Sequence, residues 1–172
     1  MKQLFSIIAT TALLISSHTL VAECNVMLQM HAPTPNQTID ASTNTVIDTT
    51  AALMWMRCPL GYTIENNRCI NSSATANFTW EQALIAASNT SYAGFDNWRL
   101  PNRKELDTLV DRNCFEPAQN VLLFPVTTTQ NFWTNSAYPF NSQSAWGIEF
   151  DLGSHKSLPK SGEYAARLVR EL

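Results

Sequence analysis

The sequence predicts one α+β domain, on three observations. Two stretches near the middle, residues 78–88 and 100–110, combine helix-start chemistry with an apolar stripe at helical spacing. Short apolar or alternating runs before and after them read as strands. Four cysteines, Cys24, Cys58, Cys69 and Cys114, imply a fold held by disulfides. A chain of 172 residues suits one ordinary domain and is short for two.

Residues 1–22, MKQLFSIIATTALLISSHTLVA, have the layout of a secretory signal peptide: positive Lys2, an apolar run from Leu4 to Ile15, then a more polar Ser16–Ala22. The apolar run falls short of the roughly 20 residues a spanning helix needs, which favours cleavage after Ala22 over an anchor. Glu23 stands directly before Cys24, where a lipidation signal needs a small residue. The expected destination is the periplasm or the cell exterior, with no membrane insertion after cleavage. Loss of Lys2 leaves ten Lys and Arg against fourteen Asp and Glu, a formal charge of −4. An acidic exported domain is a poor electrostatic match for nucleic acid or anionic membrane.

An even cysteine count in an oxidising compartment points to two disulfides. The expected pairs are Cys58–Cys69, closing a turn-rich loop, and by elimination Cys24–Cys114. In the chain-entropy picture these contribute roughly 3 and 4.5 kcal/mol. Zinc is disfavoured because no Cys-x-x-Cys pair exists and His31 and His155 stand apart from the cysteines.

Residues 23–44, polar and rich in Pro, Thr, Asn and Ser, read as an extended N-terminal segment, and residues 45–172 as the domain. Val46–Ile47 and Leu53–Met56 then fit two strands with a tight turn between them. In the first helix, Thr79 and Gln82 form a capping box, Phe78 staples the start, and Trp80, Ala83, Leu84 and Ala87 share one face. In the second, Asn102 caps and Glu105 reaches back to it. Leu106, Leu109 and Val110 point inward, while Arg103, Lys104 and Asp107 face out. Pro101 holds Leu100 extended ahead of that helix. Later, "NFWTNS" reads as a strand. "AWGIEFDLG" reads as another, with Trp146, Ile148 and Phe150 inward and Gly147, Glu149 and Asp151 outward. Ala165–Val169 is the last.

Capping chemistry accounts for Pro101, Asn102 and Glu105, but not for the Trp98–Arg99 pair just before them. One reading of such a pair is a binding surface; a large aromatic beside a helix start normally packs, so the favoured expectation is Trp98 in the core with Arg99 tying neighbouring backbone.

"LMWMRCPLG", "TWEQAL", "GFDNWRLPNRKELDTLVD", "LLFP", "FWTNSAY", "AWGIEFDLG" and "RLVR" occur in the order of one bacterial family. From about Thr45 to Arg170 the chain resembles the family named for the C-terminal domain of the Legionella collagen-like protein. "WRLPNRKEL" also resembles the "RLPTEAEWE" element of formylglycine-generating enzymes. The resemblance implies a C-type-lectin-like domain, two helices packed on a small, twisted, mainly antiparallel sheet. It also implies an adhesive role towards sulfated glycosaminoglycans. The chain departs from that pattern: it has no collagen-like Gly triplets, and its charge is negative where a polyanion calls for clustered bases. Arg99, Arg103, Lys104 and Arg112 are the candidates for a local basic patch, against the plainer reading of a solvated helix face.

Reaction chemistry is sparse. A calcium-dependent sugar site needs roughly six to eight oxygen ligands, and the nearest run, Glu116–Pro117–Ala118, lacks a side-chain oxygen at Ala118. The reactive cysteine pair of formylglycine-generating enzymes lies late in the domain, yet no cysteine follows Cys114. No Gly-x-Ser-x-Gly elbow or Gly-rich phosphate loop is present. No cofactor is expected. The expectation is a non-catalytic binding module, an adhesin or surface-assembly component that takes glycan or cell-surface protein without calcium. The competing expectation is an enzyme with a dispersed site on a formylglycine-generating-enzyme-like fold. Recognition usually sits on loops, and the irregular stretches are Cys58–Cys69, Glu116–Gln130 and Tyr138–Ser144. The third joins Tyr138 and Phe140 to the amides of Asn141 and Gln143, a combination suited to a sugar ring or a partner protein.

Overall fold

The computed structural model describes residues 23–24, 36–73, 76–125 and 130–172. The expected signal peptide, residues 1–22, and His31 lie outside them. The strands before the helices are β1 (Glu23–Cys24), β2 (Gln37–Asp40), β3 (Thr45–Asp48), β4 (Leu53–Met56), β5 (Tyr62–Glu65) and β6 (Arg68–Asn71). Helices α1 (Trp80–Ser88) and α2 (Arg103–Asp107) follow. β7 (Cys114–Phe115), β8 (Asn131–Ala137), β9 (Ser144–Glu149), β10 (Ser154–Pro159) and β11 (Val169–Glu171) complete the chain. The fold is α+β and mostly sheet.

In place of one small sheet there are a four-stranded sheet, β11-β4-β3-β2, and a three-stranded one, β10-β9-β8, with β1-β7 and β5-β6 as two-stranded ribbons. Every pairing of these strands is antiparallel. Asp48 Oδ1 accepts the Thr50 and Ala51 amides at 3.0 and 2.9 Å and shapes the β3–β4 turn. β2 lies within the segment read as lacking an element. Its Thr38 and Ile39 are both exposed, so no alternating apolar pattern marks it. The Cys58–Cys69 stretch is likewise a hairpin, not an irregular loop. Asn66 and Asn67 take φ 49° and 58°, as its tight turn requires. The disulfides join Cys58 to Cys69 and Cys24 to Cys114; the second bridges facing residues of β1 and β7.

Both capping boxes are formed, by Thr79 with Gln82 and by Asn102 with Glu105. Helix α2 ends at Asp107, short of the expected stripe. Leu109 and Val110 are nonetheless buried, because i to i+3 bonds to Leu106 and Asp107 tighten the next turn and keep them inward. Asn102→Ala is expected to lower stability by about 1 kcal/mol in urea unfolding, through loss of the cap.

Two apolar clusters divide the interior. One gathers Val46, Trp55, Leu106, Phe124, Phe132, Ile148 and Phe150. The other gathers Met54, Met56, Ala83, Trp98, Trp133, Ala145 and Leu158. Alternation along β9 sends Ile148 into the first and Ala145 into the second, so the strand is buried on both faces. This corrects the reading of Gly147 as outward. It is buried opposite Trp133, and a Cβ there would stand 2.9 Å from the Phe132 carbonyl oxygen and overlap Leu158. Trp146, expected inward with Ile148, is only half-buried, and Asp151 sits in a turn beyond β9. β10 carries no signal in "SHKSLP", which lacks a bounded apolar run.

The expected last strand, Ala165–Val169, is mostly not one. Ala165–Leu168 is fully buried, and its partners change along its length. The Ala165 carbonyl accepts from Trp133 of β8, while the Ala166 and Leu168 carbonyls accept from Leu60 and Met56. The segment stitches the two sheets together, and regular pairing with β4 begins only at Val169. Glu116–Gln130 is less solvent-seeking than expected, since Ala118, Gln119 and Phe124 are buried; residues 126–129 lie outside the described ones.

Candidate functional site

The Tyr138–Ser144 loop joins β8 to β9 and is built from its own backbone. Asn141 N donates to Tyr138 O and Ser144 N to Asn141 O, while Asn141 Oδ1 accepts the Gln143 amide at 2.9 Å. That geometry projects Phe140 outward, 85% exposed. It is the lead of a short aromatic series. Phe140 meets Tyr138 edge to face at 5.6 Å between centroids, and Tyr138 meets Trp146 at 4.8 Å. Trp146 then carries the Arg103 guanidinium 4.8 Å from its ring centre, with the His155 ring at 6.3 Å. Asn141 and Gln143 are exposed beside Phe140.

Helix α2 supplies the charged flank. It is docked on β8 by Asn135 N donating to Pro101 O at 2.8 Å and Arg103 N donating to Ser136 Oγ at 3.0 Å. Asp107 Oδ1 lies 2.7 Å from His155 Nε2 and 2.9 Å from Arg112 Nη2, and Arg103 Nη1 lies 3.3 Å from His155 Nδ1. A guanidinium can only donate, so Nδ1 accepts and the imidazole proton sits on Nε2, facing Asp107. An Asp–His pair of this kind is two of the three members of a hydrolytic triad. Here the nitrogen that would serve a nucleophile is occupied by Arg103.

The proposed basic patch does not form as one surface. Arg112 pairs with Asp107, Arg103 lies over Trp146, and Arg99 pairs with Glu105 at 2.8 Å and Glu171 at 3.6 Å. Trp98 is 2% exposed and donates from Nε1 to the Tyr92 carbonyl at 3.0 Å. Arg99 exchanges backbone bonds with Val169 and grips Glu105 with both Nη atoms. Trp98 packs in the second apolar cluster, while Arg99, Pro101, Asn102 and Glu105 hold the start of α2, and none of the five joins the Tyr138–Phe140 group. Trp146, Arg103, Asp107 and His155 do join it, and no local pattern in the sequence groups them. Their pairing spans some fifty residues, and nothing local marks it.

Burial pushes the Glu105 carboxyl up, but hydrogen bonds from Arg99 and the Asn102 amide, with the Arg99 charge, outweigh it and hold it below the usual range. Burial also opposes ionisation of Asp107, and bonds from His155 and Arg112 again prevail. A depressed carboxyl stabilises the fold above its unfolded-state pKa, and that stability is lost as pH falls through the folded value. Thermal unfolding is thus expected to be flat from neutral pH to about 5 and to fall below about 4. Glu105→Gln should flatten the acid limb.

Among the described residues, no three His, Cys, Asp or Glu side chains converge as a metal set, and no helix is long and apolar enough to cross a membrane. Fold and site together define a small disulfide-bonded α+β domain with an aromatic, charge-flanked loop end. The Lcl C-terminal domain family matches residues 44–170, and the chain belongs to that family. No curated protein matches the chain.

Proposed function

We propose that this domain is an exported, non-catalytic binding module that engages its partner through Phe140, Tyr138 and Trp146. The observation that carries the reading is Phe140, 85% exposed at a loop apex and held edge-on by Tyr138. A large ring held in water costs solvation unless something covers it, and projecting aromatics are frequent anchors of protein interfaces. Its projection favours a cell-surface protein with a complementary pocket. A glycan is the second reading, favoured by the Asn141 and Gln143 amides beside the ring. Occupation of His155 Nδ1 by Arg103 supports absence of catalysis over the dispersed-site enzyme. Two disulfides suit the periplasm or the cell exterior. The architecture we infer is C-type-lectin-like, with recognition on loops and without calcium.

The test is a glycan and protein binding screen on the mature domain, followed by Phe140→Ala on the best hit. Loss of about 2 kcal/mol or more of binding, with unfolding unchanged, is expected. Affinity should be equal in chelator and in calcium. Indifference to Phe140→Ala, or binding lost in chelator and restored by calcium, would overturn the reading.

A further inference from the structure

We propose a second site, for a neutral sugar ring, in the surface depression against helix α1. The depression has a volume of about 610 Å³ and is lined by Thr79, Trp80, Glu81, Leu84, Lys160 and Ser161. Its floor is rigid. Trp80 Nε1 donates to the Thr134 carbonyl at 2.8 Å, and its backbone amide donates to Lys160 O at 3.1 Å. One indole face is free of core packing, because the Lys160 ammonium lies over it at 4.3 Å from the ring centre. Leu84, half-buried, extends the apolar floor.

The rim supplies both hydrogen-bond senses. Glu81 is exposed and only accepts when ionised, Lys160 only donates, and the Thr79 and Ser161 hydroxyls do either. Thr79 Oγ1 already accepts from Gln82 N, which leaves its proton free to donate. One carboxylate and one ammonium cancel, so the lining favours neither an anion nor a cation. An uncharged pyranose has the matching form: a C–H face for the indole and a ring of hydroxyls that both donate and accept. Lys160 sits on a long flexible stem. It swings from the indole face to the hydroxyl edge as the sugar seats, and acts as a lid. The site lies on the Trp133 side of β9 and does not rest on the reading of Phe140.

The experiment is a titration of the intact, isotope-labelled domain with cellobiose, maltose and lactose, with glycerol and glucuronic acid as controls, followed by NMR. At least one disaccharide is expected to move the Trp80 indole and the Glu81 and Lys160 amide signals saturably, with the controls silent. Trp80→Phe should weaken this by about tenfold or more. Glu81→Ala, at an exposed helix position that folding does not need, should weaken it as well, and Phe140→Ala should leave it intact. Silence of these signals with all three disaccharides overturns the site. So does an equal response to either control, or unchanged binding in both Trp80→Phe and Glu81→Ala.

Discussion

Arg167→Ala is expected to destabilise the domain by about 4 kcal/mol, a large share of the roughly 5–15 kcal/mol that holds such a fold. Arg167 is fully buried, and Nη1 donates to the Met56 carbonyl at 2.9 Å and to the Arg57 carbonyl. Those carbonyls belong to the last residue of β4 and the residue after it, where the chain leaves the four-stranded sheet. Two effects oppose each other. Burial without a carboxylate is costly, and it pushes the guanidinium down to about 9, which still leaves it charged at neutral pH. Its Nε and Nη2 make no hydrogen bond to any described residue. Against this, the rings of Phe124 and Phe132 face the charge at 4.8 and 5.6 Å and partly replace its hydration. Alanine would relieve the desolvation but orphan two buried carbonyls and open a cavity the size of the side chain, and the orphaned groups with the cavity win. Arg167→Met separates the two effects: it keeps most of the volume and loses the charge, so a smaller loss of roughly 1–2 kcal/mol is expected. Urea unfolding of both variants checks this. An alanine variant within about 0.5 kcal/mol of the parent would show that desolvating the charge cancels what its hydrogen bonds and ring packing contribute.

Trp98→Ala comes next, at about 3–5 kcal/mol. The ring is 2% exposed and packs edge to face on Tyr92 at 5.8 Å, and its Nε1 bond holds the Tyr92 carbonyl. Tyr92 in turn donates from its hydroxyl to Asn44 O at 3.0 Å, so the indole braces the link between the segment after α1 and the β2–β3 turn. Differential scanning calorimetry measures the loss. A melting temperature that stays put while partner binding disappears would make Trp98 a contact residue and not a core one.

What is legible in the sequence follows from how far apart the interacting residues lie. The capping boxes of α1 and α2 join residues three apart, and Asn102 with Glu105 announces itself in any reading of "PNRKE". The β3–β4 hairpin is equally plain, because its apolar runs flank a turn. The short disulfide encloses recognisable turn chemistry, and the long one follows by elimination. Other elements leave no local trace. β2 has one apolar residue, Ile39, and that one is exposed. Gly147 belongs to a strand buried on both sides, where alternation no longer separates inside from outside. Arg167 looks like a surface base in "AARLVR" until two distant carbonyls claim it. At the candidate site, Tyr138, Phe140, Asn141 and Gln143 can be picked out as a loop group. Their neighbours Trp146, Arg103, Asp107 and His155 converge only through tertiary pairing of α2 with β9 and β10.

The buried stitch at Ala165–Leu168 sets a timetable. Residues 165–168 fill the seam between two sheets whose partner strands lie far from them along the chain, and β11 closes beside Trp55. Neither sheet has its full set of neighbours until that segment arrives, and pairings so distant along the chain form slowly.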